Sequence, residues 1–406
     1  MTPARRQIAF INVAHMLCHY SLLVLPTAVL TMAYEGGAFG PDYGSILVLA
    51  TAMFILYGVL SLPQAWIVAR TGRKPLIAAF FLGTGVSLMV SGLAGTPTTL
   101  TMALAAVGAF AAIYHPIGTA MLVDAAGEKP GRDIGVNGMC GNFGVASAPV
   151  VTAFLAVRFG WPAAFIVPGV VCTAMGVFWL MEPAFDYTRR IGGAPFPVIP
   201  RALVRRAVVV LLMIAVASGV VFNAFTLLIP KLMQERLGTD PALLPVIGVA
   251  AFVVTLCGAA TQFTVGRLID RHTLRQVFLP LAAILAPALL GMAVLRGWAL
   301  LPVAGLAAAV IFGQVTVNET MTARYIAPAI RTRMYSIRFF VGFLGAAGSA
   351  PLVGMLHDRT GSLGVVLVVL GLVALIVLGC ALIFPNRPEE LRPELWARLS
   401  DATPAG

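Results

Sequence analysis

The sequence predicts an all-α polytopic membrane protein: twelve transmembrane helices in two pseudo-symmetric six-helix bundles. Three observations carry that prediction. Of the 406 residues, 59% are hydrophobic and 11% charged, whereas soluble domains carry about 25% charged residues. The uncharged runs are long enough to cross a bilayer. The basic residues gather in alternate loops.

Each crossing needs about 20 apolar residues, at about 1.5 Å rise, to span about 30 Å of hydrocarbon. Runs essentially free of Asp, Glu, Lys and Arg place the spans near 8–34, 43–69, 75–95, 98–123, 134–157, 160–181, 207–230, 243–266, 276–295, 298–320, 338–357 and 362–385. The stretch 75–123 carries no charge and is long enough for two crossings, with Gly95-Thr96-Pro97 as the turn. Backbone groups in hydrocarbon must be satisfied within their own segment, so the spans are helices. The period-two alternation of a barrel is absent.

With the N-terminus inside, 22 of the 27 basic residues fall on the cytoplasmic side, leaving Arg158, Lys231, Arg236, Arg296 and Arg359 opposite. The positive-inside rule then expects a multi-pass protein of the cell inner membrane with both termini cytoplasmic. The same distribution accounts for the net charge of +11 without a nucleic-acid partner. There is no lysine-rich run, no aromatic-basic interleaving and no soluble basic domain. The five cysteines, Cys18, Cys140, Cys172, Cys257 and Cys380, lie in apolar runs without CxxC spacing. They read as packing residues, not as a disulfide framework or zinc site. Arg5-Arg6 and the apolar run to about Tyr34 lack a small-residue cleavage site and read as a retained first span.

The longest hydrophilic break, 182–206, holds Arg189-Arg190, Gly192-Gly193 and prolines 195, 197 and 200. It divides the chain into an N-terminal bundle (1–181), a cytoplasmic linker (182–206), a C-terminal bundle (207–385) and a cytoplasmic tail (386–406). The bundles echo each other. The segment from His19 to Pro26 aligns with that from Asn223 to Pro230 at an offset of 204, Ala148-Pro149 with Ala350-Pro351 at 202, and Ala69-Arg70 with Asp270-Arg271 at 201. Related halves are a common construction of alternating-access carriers.

Between spans 2 and 3, residues 65–74 keep Arg70, Gly72, Arg73 and Lys74 of a Gly-x-x-x-Asp-Arg-x-Gly-Arg-Arg/Lys pattern. Between spans 8 and 9, residues 266–275 keep Gly266, Asp270, Arg271 and Arg275. With the six-plus-six topology, the chain resembles the major facilitator superfamily over nearly its whole length. Phe159-Gly160-Trp161 at the 5–6 turn and Gly354 to Gly361 closing span 11 agree with that resemblance. Tyr114-His115-Pro116-Ile117-Gly118 in span 4 is similar to a string in fosmidomycin-resistance-type exporters. The resemblance implies that spans 1, 4, 7 and 10 line a cavity and that spans 2, 5, 8 and 11 form gate contacts. It also implies that the loop acid latches a gate against the other half. Ala69 removes that acid from the first copy, so Arg338 at the start of span 11 is expected to lack its partner. Asp270 is then left to latch against the start of span 5 and Arg132.

Polar groups inside a bilayer are costly, and they usually face a cavity or a neighbouring helix. Asn12, His15 and His19 recur at i, i+3 and i+7 on one face of span 1. The stripe reads as a cavity face for substrate or proton, as interhelical hydrogen bonding, or as a metal pair of His15 and His19. His115 precedes Pro116, which frees a carbonyl near residue 112, and is either a cavity residue or a hydrogen-bonded packing residue. Glu319 is the one acid within a span and follows Gln314 and Asn318. It is a candidate proton site or a helix-end partner of Arg324. Asn142 lies in a small-residue stretch of span 5, Asn223 corresponds to His19, and Gln262 in span 8 is a further candidate.

The expected function is secondary active transport of a small organic solute by alternating access, proton-coupled through Glu319 or His115. A facilitative uniporter is the alternative. A non-transporting receptor or scaffold would bring a signalling domain, which the tail is too short to be. An intramembrane enzyme needs a nucleophile-base or metal constellation, and none has specific spacing. No enzyme activity, cofactor or resident metal is expected. The expected partners are the solute, protons and the lipid bilayer, and the chain is expected to act as a monomer.

Overall fold

The computed structural model describes residues 2–126, 130–183, 197–392 and 395–396. Lys129, Arg189-Arg190, Gly192-Gly193 and Arg398 lie outside the described residues, as do the side chains of Arg132, Arg331 and Arg333. Among the described residues all regular structure is helical. Eleven segments are long and apolar enough to cross a membrane. The twelfth expected span, 43–69, is broken into pieces whose apolar part, Tyr43–Val59, is shorter.

Span 1 is two helices, α1 (Pro3–Leu22) and α2 (Leu25–Glu35). Thr2 caps the first by accepting from the Arg5 amide, and Pro26 in the first turn of the second cannot donate back across the joint. Span 2 runs as α3 (Tyr43–Leu47), a 3-10 turn, α4 (Thr51–Val59) and, past Pro63, α5 (Gln64–Thr71). Gly72, at φ 81°, turns the chain into α6 (Arg73–Gly92). Only glycine adopts that conformation without cost. Span 4 is α7 (Pro97–Ala111), started by a Thr96–Thr99 capping box, and α8 (Tyr114–Ala126), offset where Pro116 withholds its amide. Then come α9 (Pro130–Phe159), α10 (Trp161–Met181), α11 (Arg201–Leu237), α12 (Leu244–Ile269), α13 (Leu274–Val294), α14 (Leu300–Tyr325), α15 (Pro328–Thr360) and α16 (Gly364–Ile383). The α11 helix begins inside the stretch read as linker, and α15 starts ten residues before the expected span 11.

Lipid as solvent explains the burial. Helix α16 has the most apolar window of all, yet only 44% of that window is buried. Phe178, Leu372 and Leu375 are exposed on the outside of the bundle. In water such a surface would drive aggregation.

Helices α1–α10 and α11–α16 meet along three seams: α3 and α4 on α15, α9 on α12, and α2 on α11. Glycines permit the closest approaches. A Cβ at Gly44 would lie 2.1 Å from the Gly354 carbonyl oxygen, and one at Gly248 would lie 2.9 Å from Ala153. At the face opposite the termini, Asp358 accepts hydrogen bonds from the Gly44 amide (2.9 Å) and Ser45 hydroxyl (3.4 Å). The Tyr43 hydroxyl donates to the Leu227 carbonyl at 3.5 Å. Deeper, Tyr57 packs on Phe343 with ring centroids 4.3 Å apart, and the Asn142 amide donates to Gln262.

On the terminal face, Glu390 of the 3-10 turn Pro388–Leu391 tucks under α13 and α14. It accepts from the Leu274 amide at 2.8 Å and from the Tyr325 hydroxyl, and sits 3.8 Å from Arg324. Burial pushes the Glu390 carboxyl above its ordinary range, against the pull of those donors.

Candidate functional site

Helix α1 presents Asn12, His15 and His19 toward α8 and α9, as the i, i+3, i+7 spacing requires. Asn137 of α9 is the hub. Its side-chain amide donates to Asn12 Oδ1 (3.0 Å), the Tyr114 hydroxyl (3.0 Å) and the Ile11 carbonyl (3.4 Å), and the Tyr114 hydroxyl donates back to its oxygen at 3.2 Å. His15 Nδ1 lies 2.8 Å from the Asn137 carbonyl oxygen. Only a protonated nitrogen can donate there, so the neutral His15 ring carries its lone pair on Nε2. Gly141, one turn along α9, makes room: a Cβ there would lie 2.5 Å from the His15 ring.

His115 of α8 completes the cluster. Its ring centroid is 5.2 Å from that of His15 and 5.3 Å from that of His19, and His15 and His19 are 4.9 Å apart. Across the seam, Phe339 of α15 stacks on His115 at 5.6 Å and Phe343 lies 6.5 Å away. Tyr114 and Tyr57 close the sides at 5.2 and 6.2 Å. The Nε2 atoms of His15 and His115 are buried and have no hydrogen-bond partner among the described residues. Several other buried polar atoms also lack a partner among the described residues, but these two belong to rings that meet in one cluster, 5.2 Å apart.

The second set of helices carries a smaller group. Gln314 of α14 is 2% exposed; its oxygen lies 3.5 Å from the Ser218 hydroxyl of α11, and its amide nitrogen has no partner among the described residues. The Asn318 side-chain oxygen, one turn on, is likewise buried and unpartnered. Asn223 instead donates to the Gly219 carbonyl of its own helix at 2.8 Å. The correspondence of Asn223 with His19 thus does not extend to the contacts it makes.

Ala69 replaces the loop acid, so Arg338 lacks the partner that the family pattern would give it. In the structure its guanidinium donates to the carboxylate of Glu319 in α14. Arg324, the partner considered for Glu319, donates instead to the Ile269 carbonyl at 2.9 Å and faces Glu390. The loop motifs sit at helix ends. Arg70 lies 3.8 Å over the Trp66 ring, an interfacial anchor, and Arg73 follows Gly72 at the start of α6. Asp270 and Arg271 are exposed at the end of α12, Asp270 has no ion pair with a described side chain, and no close neighbour demands a glycine at Gly266.

Asn137, Tyr57, Phe339 and Phe343 were missed by sequence reasoning. Asn137 carried one usable signal: a polar residue one turn before Gly141 in a small-residue helix. The aromatic residues carried none, because their role is contact between spans.

A helical bundle with lipid-facing sides and polar side chains buried within both sets of spans is the architecture of a polytopic membrane protein. The chain belongs to the Major Facilitator Superfamily, whose sequence profile matches residues 11–258 and 243–402. It is 32% identical over 142 residues to the uncharacterized MFS-type transporter YfnC of Bacillus subtilis (strain 168), an alignment spanning about a third of each chain, 34% in both cases. Its fold is similar to the crystal structure of a bacterial homolog of the human lysosomal transporter Spinster, in an inward-facing and unoccupied conformation. The TM-score is 0.67 at 14% identity, over 98% of this chain and 99% of that one.

Proposed function

We propose that the protein is a secondary carrier of a small organic solute, working by alternating access between two bundles, 1–181 and 207–385. The observation that carries this reading is the pairing, within each set of helices, of two buried polar atoms that lack a partner among the described residues: Nε2 of the clustered His15 and His115 in the first, and Gln314 Nε2 and Asn318 Oδ1, one turn apart on α14, in the second. Such atoms are costly unless a ligand or water satisfies them. The cavity residues on this reading are Asn12, His15, His19, His115, Asn142, Asn223, Gln314 and Asn318. The scarcity of charge among them suits a neutral solute or monoanion. The hydrogen bonds that α3 donates to Asp358 support a state closed at the face opposite the termini. The arginine distribution orients the terminal face to the cytoplasm of a bacterial inner membrane.

Proton coupling runs through Glu319 and His115 on this reading. Protonating Glu319 removes its ion pair with Arg338, which lies ten residues into α15, the helix that carries Asp358 in its last turn. The Glu319 side chain is 41% exposed, which favours a second reading, facilitative uniport without coupling. Flux into proteoliposomes across a solute panel, with and without a pH gradient, separates the two. Gradient-driven accumulation that vanishes in Glu319→Gln or His115→Ala supports coupling. Equal flux in both variants removes it, and no flux of any solute removes the carrier.

A further inference from the structure

Three of the chain's five histidines offer one ring nitrogen each within 4.8 Å of one another. We propose that His15, His19 and His115 form a three-nitrogen site for one borderline or soft transition-metal cation, with the fourth coordination position open.

The donor set is the first argument. Imidazole nitrogens suit zinc, copper, nickel and cobalt, whereas magnesium and calcium require clustered oxygens. Three protein nitrogens with a free position is a known arrangement for an accessible four-coordinate ion.

Orientation is the second. Metal-bound histidines characteristically donate their other ring N–H to a carbonyl or carboxylate, which fixes the tautomer and raises ligand basicity. His15 has that bond through Nδ1 to the Asn137 carbonyl, so Nε2 is the free ligand atom. That atom and His115 Nε2 are buried and unpartnered. His19 makes no hydrogen bond to a described residue, so both of its ring nitrogens are available as ligand atoms, and like His15 and His115 it is half-buried.

Size is the third. Nitrogens sharing one tetrahedral ion at about 2.0–2.1 Å lie about 3.3 Å apart. Closing from 4.8 Å takes a rotation of the rings about their broad terminal torsion. No carboxylate joins the group among the described residues. The site therefore favours a monocation such as Cu+, or a dication that brings an anion to the open position. It goes beyond the carrier reading and stands whether or not the ion is moved.

The test uses the full chain in detergent, purified without a histidine tag and stripped of metal, then titrated with Co2+ in chloride buffer and separately with Cu+. The expected result is one ion per chain, with the visible ligand-field bands of four-coordinate Co2+ or stoichiometric capture of Cu+. Each of His15→Gln, His19→Gln and His115→Gln should weaken binding by more than about tenfold, and exposed His272→Gln should not. Failure of both ions to bind the wild-type protein overturns the site without needing any variant to fold. So does binding that survives all three substitutions. Solute flux is read in a separate assay, so loss of this site leaves the carrier reading in place.

Discussion

Arg338 of α15 is ion-paired to Glu319 of α14, so the one acid within a predicted span is held by the first basic residue of the next. Arg338 is 10% exposed in its side chain and Glu319 41%, which puts the pair at a water boundary. Twenty residues further along the same helix, about 30 Å at helical rise, Asp358 binds the start of α3. One continuous helix thus joins an ion pair near the terminal face to a contact with α3 at the other.

Glu319→Gln keeps the shape of the side chain and removes its charge. Acceleration by a pH gradient should be lost while downhill exchange persists, as read from initial rates with and without the gradient. Because Glu319 is more than a third exposed, the stability cost should be about 1 kcal/mol or less. Undiminished acceleration would exclude Glu319 from coupling.

Asn137→Ala strands the Tyr114 hydroxyl and Asn12, both hydrogen-bonded to its side chain. The expected loss is about 1–3 kcal/mol, seen as a lower thermal midpoint in detergent. A midpoint equal to wild type would contradict the role of Asn137 as the hub.

The α1–α9 glycines should rank by what their Cβ atoms meet. At Gly144 that is the Met16 backbone oxygen at 2.1 Å, at Gly141 the His15 ring at 2.5 Å, and at Gly135 nothing within 4 Å. Alanine at Gly144 should cost most and at Gly141 less, within the roughly 1–3 kcal/mol of overpacking. At Gly135 it should be neutral or stabilising by up to about 1 kcal/mol through helix propensity. Unfolding midpoints of the three variants check the order, and a reversed order would refute this packing.

Glu390 gives a pH signature. Its folded-state pKa is raised above the ordinary 4.5, chiefly by burial. The native state therefore binds more protons than the unfolded chain between those two values, and stability falls as pH rises through that window. The thermal midpoint should drop on raising the pH from 4.5, and Glu390→Gln should flatten the drop. An unchanged slope in the variant would assign the effect elsewhere.

Most of the fold was legible because lipid enforces it: a run without charges must cross, and a crossing must be a helix. What charge marks is the edge of hydrocarbon, not the end of a helix, which is why α15 begins at Pro328, well before Arg338. Span 2 was read as one piece, and its break after Val59 follows from Pro63, which the charge pattern does not see. At the site, His15 and His19 came from helical spacing, and His115 from its proline. Their meeting is a tertiary fact with no local signal, as are the Phe339 stack and the Glu319–Arg338 pair. That pair was obscured by reasoning from a loop pattern whose acid this chain lacks.

The central claim, that the two bundles open alternately on opposite faces, is tested most directly by paired spin-label distances in lipid nanodiscs. One pair, at exposed Ala38 and Arg359, reports the face opposite the termini, and the other, at exposed Thr71 and Arg271, reports the terminal face. Gly44→Ala, whose Cβ would meet Gly354 and Asp358 at 2.1 and 2.5 Å, should widen the first distance and shorten the second together. Two distances that stay fixed, or that widen together, would contradict the account.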